Sequence, residues 1–172
     1  MINNRKIPKT WLITDTHFYH NKIIELVNRP INYQDLIINN WNNIVLPIDI
    51  IIHLGDVIFY NYNKLNSILN NLPGKKILTI GNHDHKTKSW YLNNGFNFVC
   101  DYFCIDNIIF SHDRFIQPYD YVNIHGHYHT YINEYNSKYR LLSIEFEHYK
   151  PVELFKFLKK SNTKNYYTNN HA

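Results

Sequence analysis

The sequence predicts an α/β fold in which two packed sheets are flanked by helices. Three observations predict it. Through the first half of the chain, apolar runs of strand length alternate with segments of helical period. From Phe98 onward, apolar runs follow one another without long helices between them. Most of the strand-like runs also end in a short motif carrying Asp, Asn or His, which is where open α/β sheets hold their ligands.

Each element has a local reason. Trp11-Leu12-Ile13-Thr14 is a short apolar run that stops at Asp15. Tyr33 to Val45 spaces Leu36, Ile37, Trp41, Ile44 and Val45 close to the helical repeat. Asp49 to Leu54 reads as a buried strand closed by Gly55-Asp56. Lys64 to Leu72 puts Leu65, Ile68, Leu69 and Leu72 on one helical face, and Pro73-Gly74 stops it. Lys76 to Ile80 is a third strand, closed by Gly81-Asn82, and a helix over Thr87 to Asn93 ends before Gly95. Phe98 to Ile105, Asn107 to Ser111, Tyr121 to Ile124 and Tyr139 to Phe146 read as strands. A last helix is expected after Pro151, which a first helical turn tolerates, with Val152, Leu154, Phe155 and Leu158 as its apolar residues.

A chain of 172 residues fits one domain with a sizeable core. No internal repeat or linker is visible, so residues 1–160 read as one domain and the polar, Asn-rich segment 161–172 as a loose tail. With 44% hydrophobic and 19% charged residues the composition is globular. The formal charge of +4 suits an anionic substrate but is too weak to predict a duplex nucleic acid as partner. No apolar run approaches the roughly 18 residues of a membrane span, and Met1 to Thr10 lacks the apolar core of a secretory signal. A cytoplasmic protein without a membrane partner is expected. Cys100 and Cys104 fall on one face of one expected strand and read as reduced core cysteines rather than zinc ligands.

The chemistry sits in five motifs: Asp15-Thr16-His17, Gly55-Asp56, Gly81-Asn82-His83-Asp84, Ser111-His112, and His125-Gly126-His127-Tyr128-His129. Each alone also has a bland explanation. Asp starts turns well, and Gly and Asn accept positive φ. Five such motifs at five strand ends, however, predict convergence on one point.

In their order and spacing the motifs resemble the signature of the calcineurin-like metallophosphoesterase family, D-x-H, G-D, G-N-H-[DE], H and G-H-x-H. The flanking text also resembles small bacterial and viral members: Thr14 to Phe18 followed by His20, the pair Arg29-Pro30, and Tyr149 to Leu154. The resemblance implies a two-sheet sandwich and a two-metal site. It assigns Asp15, His17 and His129 to a first metal, Asn82, His112 and His127 to a second, and Asp56 to both. A carboxylate has two oxygens and can reach two cations about 3.5–4 Å apart. Mixed imidazole and oxygen ligation favours Mn, with Fe, Zn, Ni or Mg as alternatives.

The resemblance further implies hydrolysis of a phosphoester by a metal-activated water, with His83 as proton donor to the leaving group. A phosphodiesterase acting on a small or nucleotide ester is expected. A nucleotide phosphomonoesterase, a protein Ser/Thr phosphatase and a non-catalytic binding module on the same fold are the alternatives. Protein phosphatases carry an Arg-Gly soon after Gly-Asp, whereas Gly55-Asp56 is followed by Val57-Ile58-Phe59-Tyr60. Arg114 stands where many relatives have other residues, and is expected either to bind substrate phosphate or to pair with Asp113 or Asp120. His20 and Arg29 are expected to contact phosphate or to brace the metal ligands. Asp84 is expected to orient His83 or to cap the next helix.

Overall fold

A computed structural model describes residues 6–116, 118, 120–129 and 138–160. The first sheet contains β1 (Thr10–Ile13), β2 (Ile50–His53), β3 (Lys75–Thr79), β4 (Phe98–Cys100) and β9 (Val152–Glu153). Its order is β4-β3-β2-β1-β9, parallel except for β9. The second sheet contains β5 (Tyr102–Ile105), β6 (Ile108–Ser111), β7 (Val122–His125) and β8 (Tyr139–Leu141), in that order. Helices α1 (Ile23–Leu26), α2 (Tyr33–Ile44), α3 (Leu65–Asn70), α4 (Lys88–Asn93) and α5 (Leu154–Lys159) complete the fold. The two-sheet architecture with helices is the one expected.

Strand alternation feeds two apolar layers. Ile13 and Ile51 point to the helices, where they pack with Tyr33, Ile37 and Trp41 of α2, Leu65 and Leu69 of α3, and Tyr91 of α4. Leu12, Ile52 and Leu54 point the other way, onto Phe110 and Ile124 of the second sheet and Phe157 of α5. Burying one such Leu, Ile or Phe contributes about 1.5–3 kcal/mol. The buried layers hold the carboxyl ends of β1, β2, β3, β6 and β7 together at one end of the sandwich.

Several boundaries differ from expectation. Phe98 to Ile105 is two strands, not one. The chain leaves the first sheet at Asp101, β4 pairing parallel with β3 and β5 antiparallel with β6. Cys100 and Cys104 therefore belong to different sheets, and Cys104 is exposed rather than in the core. The expected strand Tyr139 to Phe146 stops at Leu141, because the chain turns at Ser143, whose carbonyl accepts from the amides of Phe146 and Glu147. Val152-Glu153 pairs with β1 before α5 begins, so Pro151 precedes a strand and not a helix. Phe155 is exposed, and the buried face of α5 is Leu154 and Phe157. Thr87, not Asp84, caps α4, its side chain accepting from the Trp90 amide. Among the described residues no helix is long and apolar enough to cross a membrane. The expected tail, 161–172, lies outside the described residues.

Candidate metal centre

The loops that follow the five strands carry all seven expected ligands. The first two loops extend the parallel β1–β2 ladder. The amide of Asp15 donates to the Gly55 carbonyl, and that of His17 to the Asp56 carbonyl, both at 3.0 Å. Asp15, His17, Asp56 and His127 all adopt left-handed backbone, with φ of 49°, 45°, 57° and 73°. Such conformations cost on the order of 1–3 kcal/mol each in a non-glycine residue, and they concentrate at functional sites. Two motif glycines are required by close approach. A Cβ at Gly81 would run into the Asp56 carboxylate, and one at Gly126 into Thr14 and the Asp15 carboxylate.

The ligand atoms form two groups. Asp15, His17 and His129 bring a carboxylate oxygen and two imidazole nitrogens within 4.8 Å of one another, and Asp56, His112 and His127 do the same. Asn82 joins the second group, with its Oδ1 2.8 Å from His112 Nε2 and 3.0 Å from His127 Nδ1. Asp56 stands between the groups. Its Oδ1 accepts from the His83 amide at 2.8 Å. Its Oδ2 is left 3.5 Å from His17 Nε2 and 3.6 Å from His112 Nε2.

The polar bookkeeping fits a cation in each group. Asp15 Oδ1 and both ring nitrogens of His17 are buried without a hydrogen-bond partner, an arrangement that costs free energy unless something satisfies it. His112 Nδ1 donates to the Leu54 carbonyl at 2.8 Å. With that proton on Nδ1, Nε2 turns a lone pair towards Asn82 Oδ1, which is also an acceptor. Electron pairs facing one another at that distance are what a shared cation relieves. Burial drives the His17 imidazole far below its usual range, with His129 and Arg29 pushing the same way, so it stays a neutral ligand. Burial also raises the Asp56 carboxyl, and the Asp15 carboxylate adds to that against the opposing pull of His112. A cation would remove this penalty.

Three residues hold the loops, and the motifs announced only the last of them. Glu145 is the first. It takes the Nδ1–H of His129 at 3.0 Å, two nitrogens of Arg29 at 2.9 and 2.7 Å, and the Ser143 hydroxyl at 2.8 Å. Burial works against its charge, but the His129 bond and Arg29 outweigh burial and hold its carboxyl down to about 2. Burial likewise disfavours charge on His129, yet the bond to Glu145 and the Asp15 charge raise its pKa overall. The sequence signal was an acid in the apolar stretch Leu141 to Phe146. The second is His53. Its Nδ1 accepts from the Gly55 amide, so Nε2–H donates to Thr16 Oγ1, which donates to the Val57 carbonyl. The third is Asp84, whose carboxylate accepts from the amides of Asp56, Val57 and Gly81. It ties two ligand loops together, and its carboxylate is taken up by these amides and the Tyr91 hydroxyl rather than by the His83 ring.

The remaining expected site residues divide. His83 is half-buried at the rim, its ring 5.6 Å from that of His17 and 5.2 Å from that of Phe59. Burial, and then His85, lower its pKa. His20 is buried, stacked on Phe59 at 3.9 Å and 5.3 Å from the His17 ring, with Nδ1 unpartnered. Arg29 is not available to substrate. Its side chain is fully enclosed, and its donors go to Glu145 and to the carbonyls of Asp15 and Thr16. Of the two expected roles, it has the bracing one. Arg114 is exposed, with its guanidinium over the rings of Tyr128 and Tyr139 at 5.7 and 5.2 Å.

Comparison with known proteins agrees with this geometry. The chain is 34% identical over 160 residues to the uncharacterized protein MJ1445 of Methanocaldococcus jannaschii, covering 85% of this chain and 87% of that one. It resembles the crystal structure of AQ665 of Aquifex aeolicus, a protein of unknown function, with a TM-score of 0.71 and 28% identity over 87% of this chain and 97% of that one. The profile described as calcineurin-like phosphoesterase matches residues 8–171. A chain matched over nearly its whole length by that profile, with two candidate metal groups at its strand ends, belongs to the calcineurin-like phosphoesterase family.

Proposed function

We propose that this metal-dependent phosphoesterase is a phosphodiesterase that works with two divalent cations, Mn favoured, on a small or nucleotide ester. The observation that carries the reading is Asp56 Oδ2, placed between His17 Nε2 and His112 Nε2 at 3.5 and 3.6 Å, with unsatisfied acceptors on the His17 side. In this reading Asp15, His17 and His129 hold one cation, Asn82, His112 and His127 the other, and Asp56 both. Two bound dications would supply an activated water near neutral pH and Lewis-acid stabilisation of charge on the phosphoryl oxygens.

The chain's own residues do the rest. The His83 amide fixes Asp56 Oδ1, so the backbone that shapes the shared carboxylate also sets the His83 ring at the rim. That imidazole would hold the proton delivered to the leaving oxygen. Arg29 is sealed behind Asp15 with its donors committed, whereas Arg114 lines the cavity beside the second group.

The test is hydrolysis of bis(p-nitrophenyl) phosphate and p-nitrophenyl phosphate by protein loaded with Mn, Zn, Ni or Mg. Diester turnover that a chelator abolishes and Mn restores best is the expected result. Monoester turnover alone would replace the reading by a phosphomonoesterase. No turnover of either, with two metals bound, would favour a binding module.

A further inference from the structure

We infer that the cavity beside the second ligand group is a specificity subsite, which takes the flat aromatic arm that a phosphodiester keeps after hydrolysis and stacks it against Tyr102 and Phe115. The inference rests on the diesterase reading above and names what selects its substrate. The cavity encloses about 360 Å³ and is lined by Ile80, Asn82, Tyr102, His112, Arg114 and Phe115, among others. That volume lies within the range of small-molecule sites. Asn82 and His112 belong to both the cavity and the ligand group. A phosphate held at that group has its substituent at the cavity mouth without any change of fold.

The walls are built for a ring. Tyr102 and Phe115 lie 4.4 Å apart between ring centroids, at 42°. Tyr102 is 48% exposed and lines the cavity, so its side chain is within reach of a bound group. The support behind the pair is rigid. Fully buried Asn123 accepts from the Phe115 amide and donates to Ser111 Oγ, both at 2.8 Å, while that hydroxyl donates to the Asp113 carbonyl. This fixes the turn from the ligand His112 to Phe115. Asp101, at the cavity edge, is engaged by Lys88.

A diester has two organic arms, and the centre has two aromatic flanks. His20, Phe59 and His83 cluster beside the first group, and the leaving arm belongs there because His83 is the proton donor. The cavity adjoins the second group and is left for the arm that stays. In the reaction a water oxygen bonds to phosphorus, the bond from phosphorus to the leaving oxygen breaks with its electron pair, and the second arm remains on the product phosphate.

The test compares two diesters with one leaving group, thymidine 5′-(p-nitrophenyl phosphate) and methyl p-nitrophenyl phosphate, with the full chain loaded with Mn. Stacking of one base on an aromatic side chain predicts a preference for the thymidine ester of roughly tenfold or more in kcat/KM. Tyr102→Ala and Phe115→Ala should draw that ratio towards one, and Tyr102→Phe should keep it. A ratio near one in the parent protein, or a ratio that survives both alanine variants, overturns the subsite. If neither diester is hydrolysed, the diesterase reading fails separately. The subsite is then decided by equilibrium binding of thymidine 5′-monophosphate against methyl phosphate. A difference that Tyr102→Ala removes supports it, and equal binding overturns it. Tyr102 is at the surface, so this variant remains interpretable even if Phe115→Ala does not fold.

Discussion

The two ligand groups each bring two histidines and share one carboxylate, but they are held in different ways. The group of Asp15, His17 and His129 is braced from behind by charge. Arg29 and Glu145, 116 residues apart in sequence, form an enclosed pair that grips the Asp15 carbonyl on one side and the His129 ring on the other. The group of Asp56, His112, His127 and Asn82 is held through backbone groups, namely the Leu54 carbonyl, the His83 amide and the loop amides that Asp84 and Asp15 gather, and Asn82 is exposed beside a cavity. A buried ion pair is costly to assemble, and breaking one typically costs about 3–5 kcal/mol. Spending it on one group only teaches that this group is pre-organised. The other remains open to the incoming ester.

The sharpest way to break the comparison is Asp56→Asn, which removes what the groups share. Metal content measured by plasma mass spectrometry should fall for both, and turnover should fall by on the order of 10³-fold or more, as expected when several kcal/mol of charge stabilisation is lost. Because burial penalises this carboxylate, the metal-free variant should melt no lower than the parent. Loss of only one metal would show that Asp56 does not bridge.

With a diester whose leaving group is an alkoxide rather than p-nitrophenolate, His83→Asn should lower turnover by about 10²–10⁴-fold while both metals stay bound. Unchanged turnover in the metal-replete variant removes His83 from proton transfer.

Glu145→Gln separates the groups. It keeps the shape but weakens the grip on His129, so metal affinity should drop by about 10–100-fold for one site only. A chelator titration should change from one order of release to the other. Equal loss at both sites would mean that the bracing is not local.

The smallest effect concerns pH. Burial holds the pKa of His53 down to about 3 and that of His125 to about 4. Both stay neutral when folded, whereas the unfolded chain protonates them near their ordinary value of about 6.5. The unfolded state therefore binds more protons below that pH, and stability falls as pH drops from about 6.5 towards 4 and 3. Protonation of the raised Asp56 carboxyl works the other way, so thermal melts of metal-free Asp56→Asn should show a declining midpoint over that window, steeper than in the parent, and a flat profile in the variant would contradict it. Metal binding should weaken on the same side, since Asp56 must be deprotonated to ligate.

Much of this molecule was legible in the sequence because strand ends advertise themselves. Buried parallel strands are short apolar runs, so the polar residue that ends each one stands out, as Asp15 does after Trp11 to Thr14 and His112 after Ile108 to Ser111. Glu145 was harder to read. A lone acid in an apolar stretch looks ordinary until the fold sets it 2.7 Å from Arg29, which sequence left between two roles. Cys100 and Cys104 misled because periodicity reports which face a residue takes but not which sheet it joins.

The sequence by itself determined the Asp, Asn and His motifs, their order and the strand ends they occupy, since apolar periodicity and turn chemistry are local properties of the chain, and the resemblance implied their use as ligands. Only the tertiary structure decided that Asp56 Oδ2 stands between two histidines, that the Arg29 donors are committed to Glu145 and to backbone carbonyls, and that Tyr102 and Phe115 line one cavity with Asn82 and His112. Those are distances between residues far apart in the chain. They follow from how two sheets pack, and that is set by the whole buried core at once.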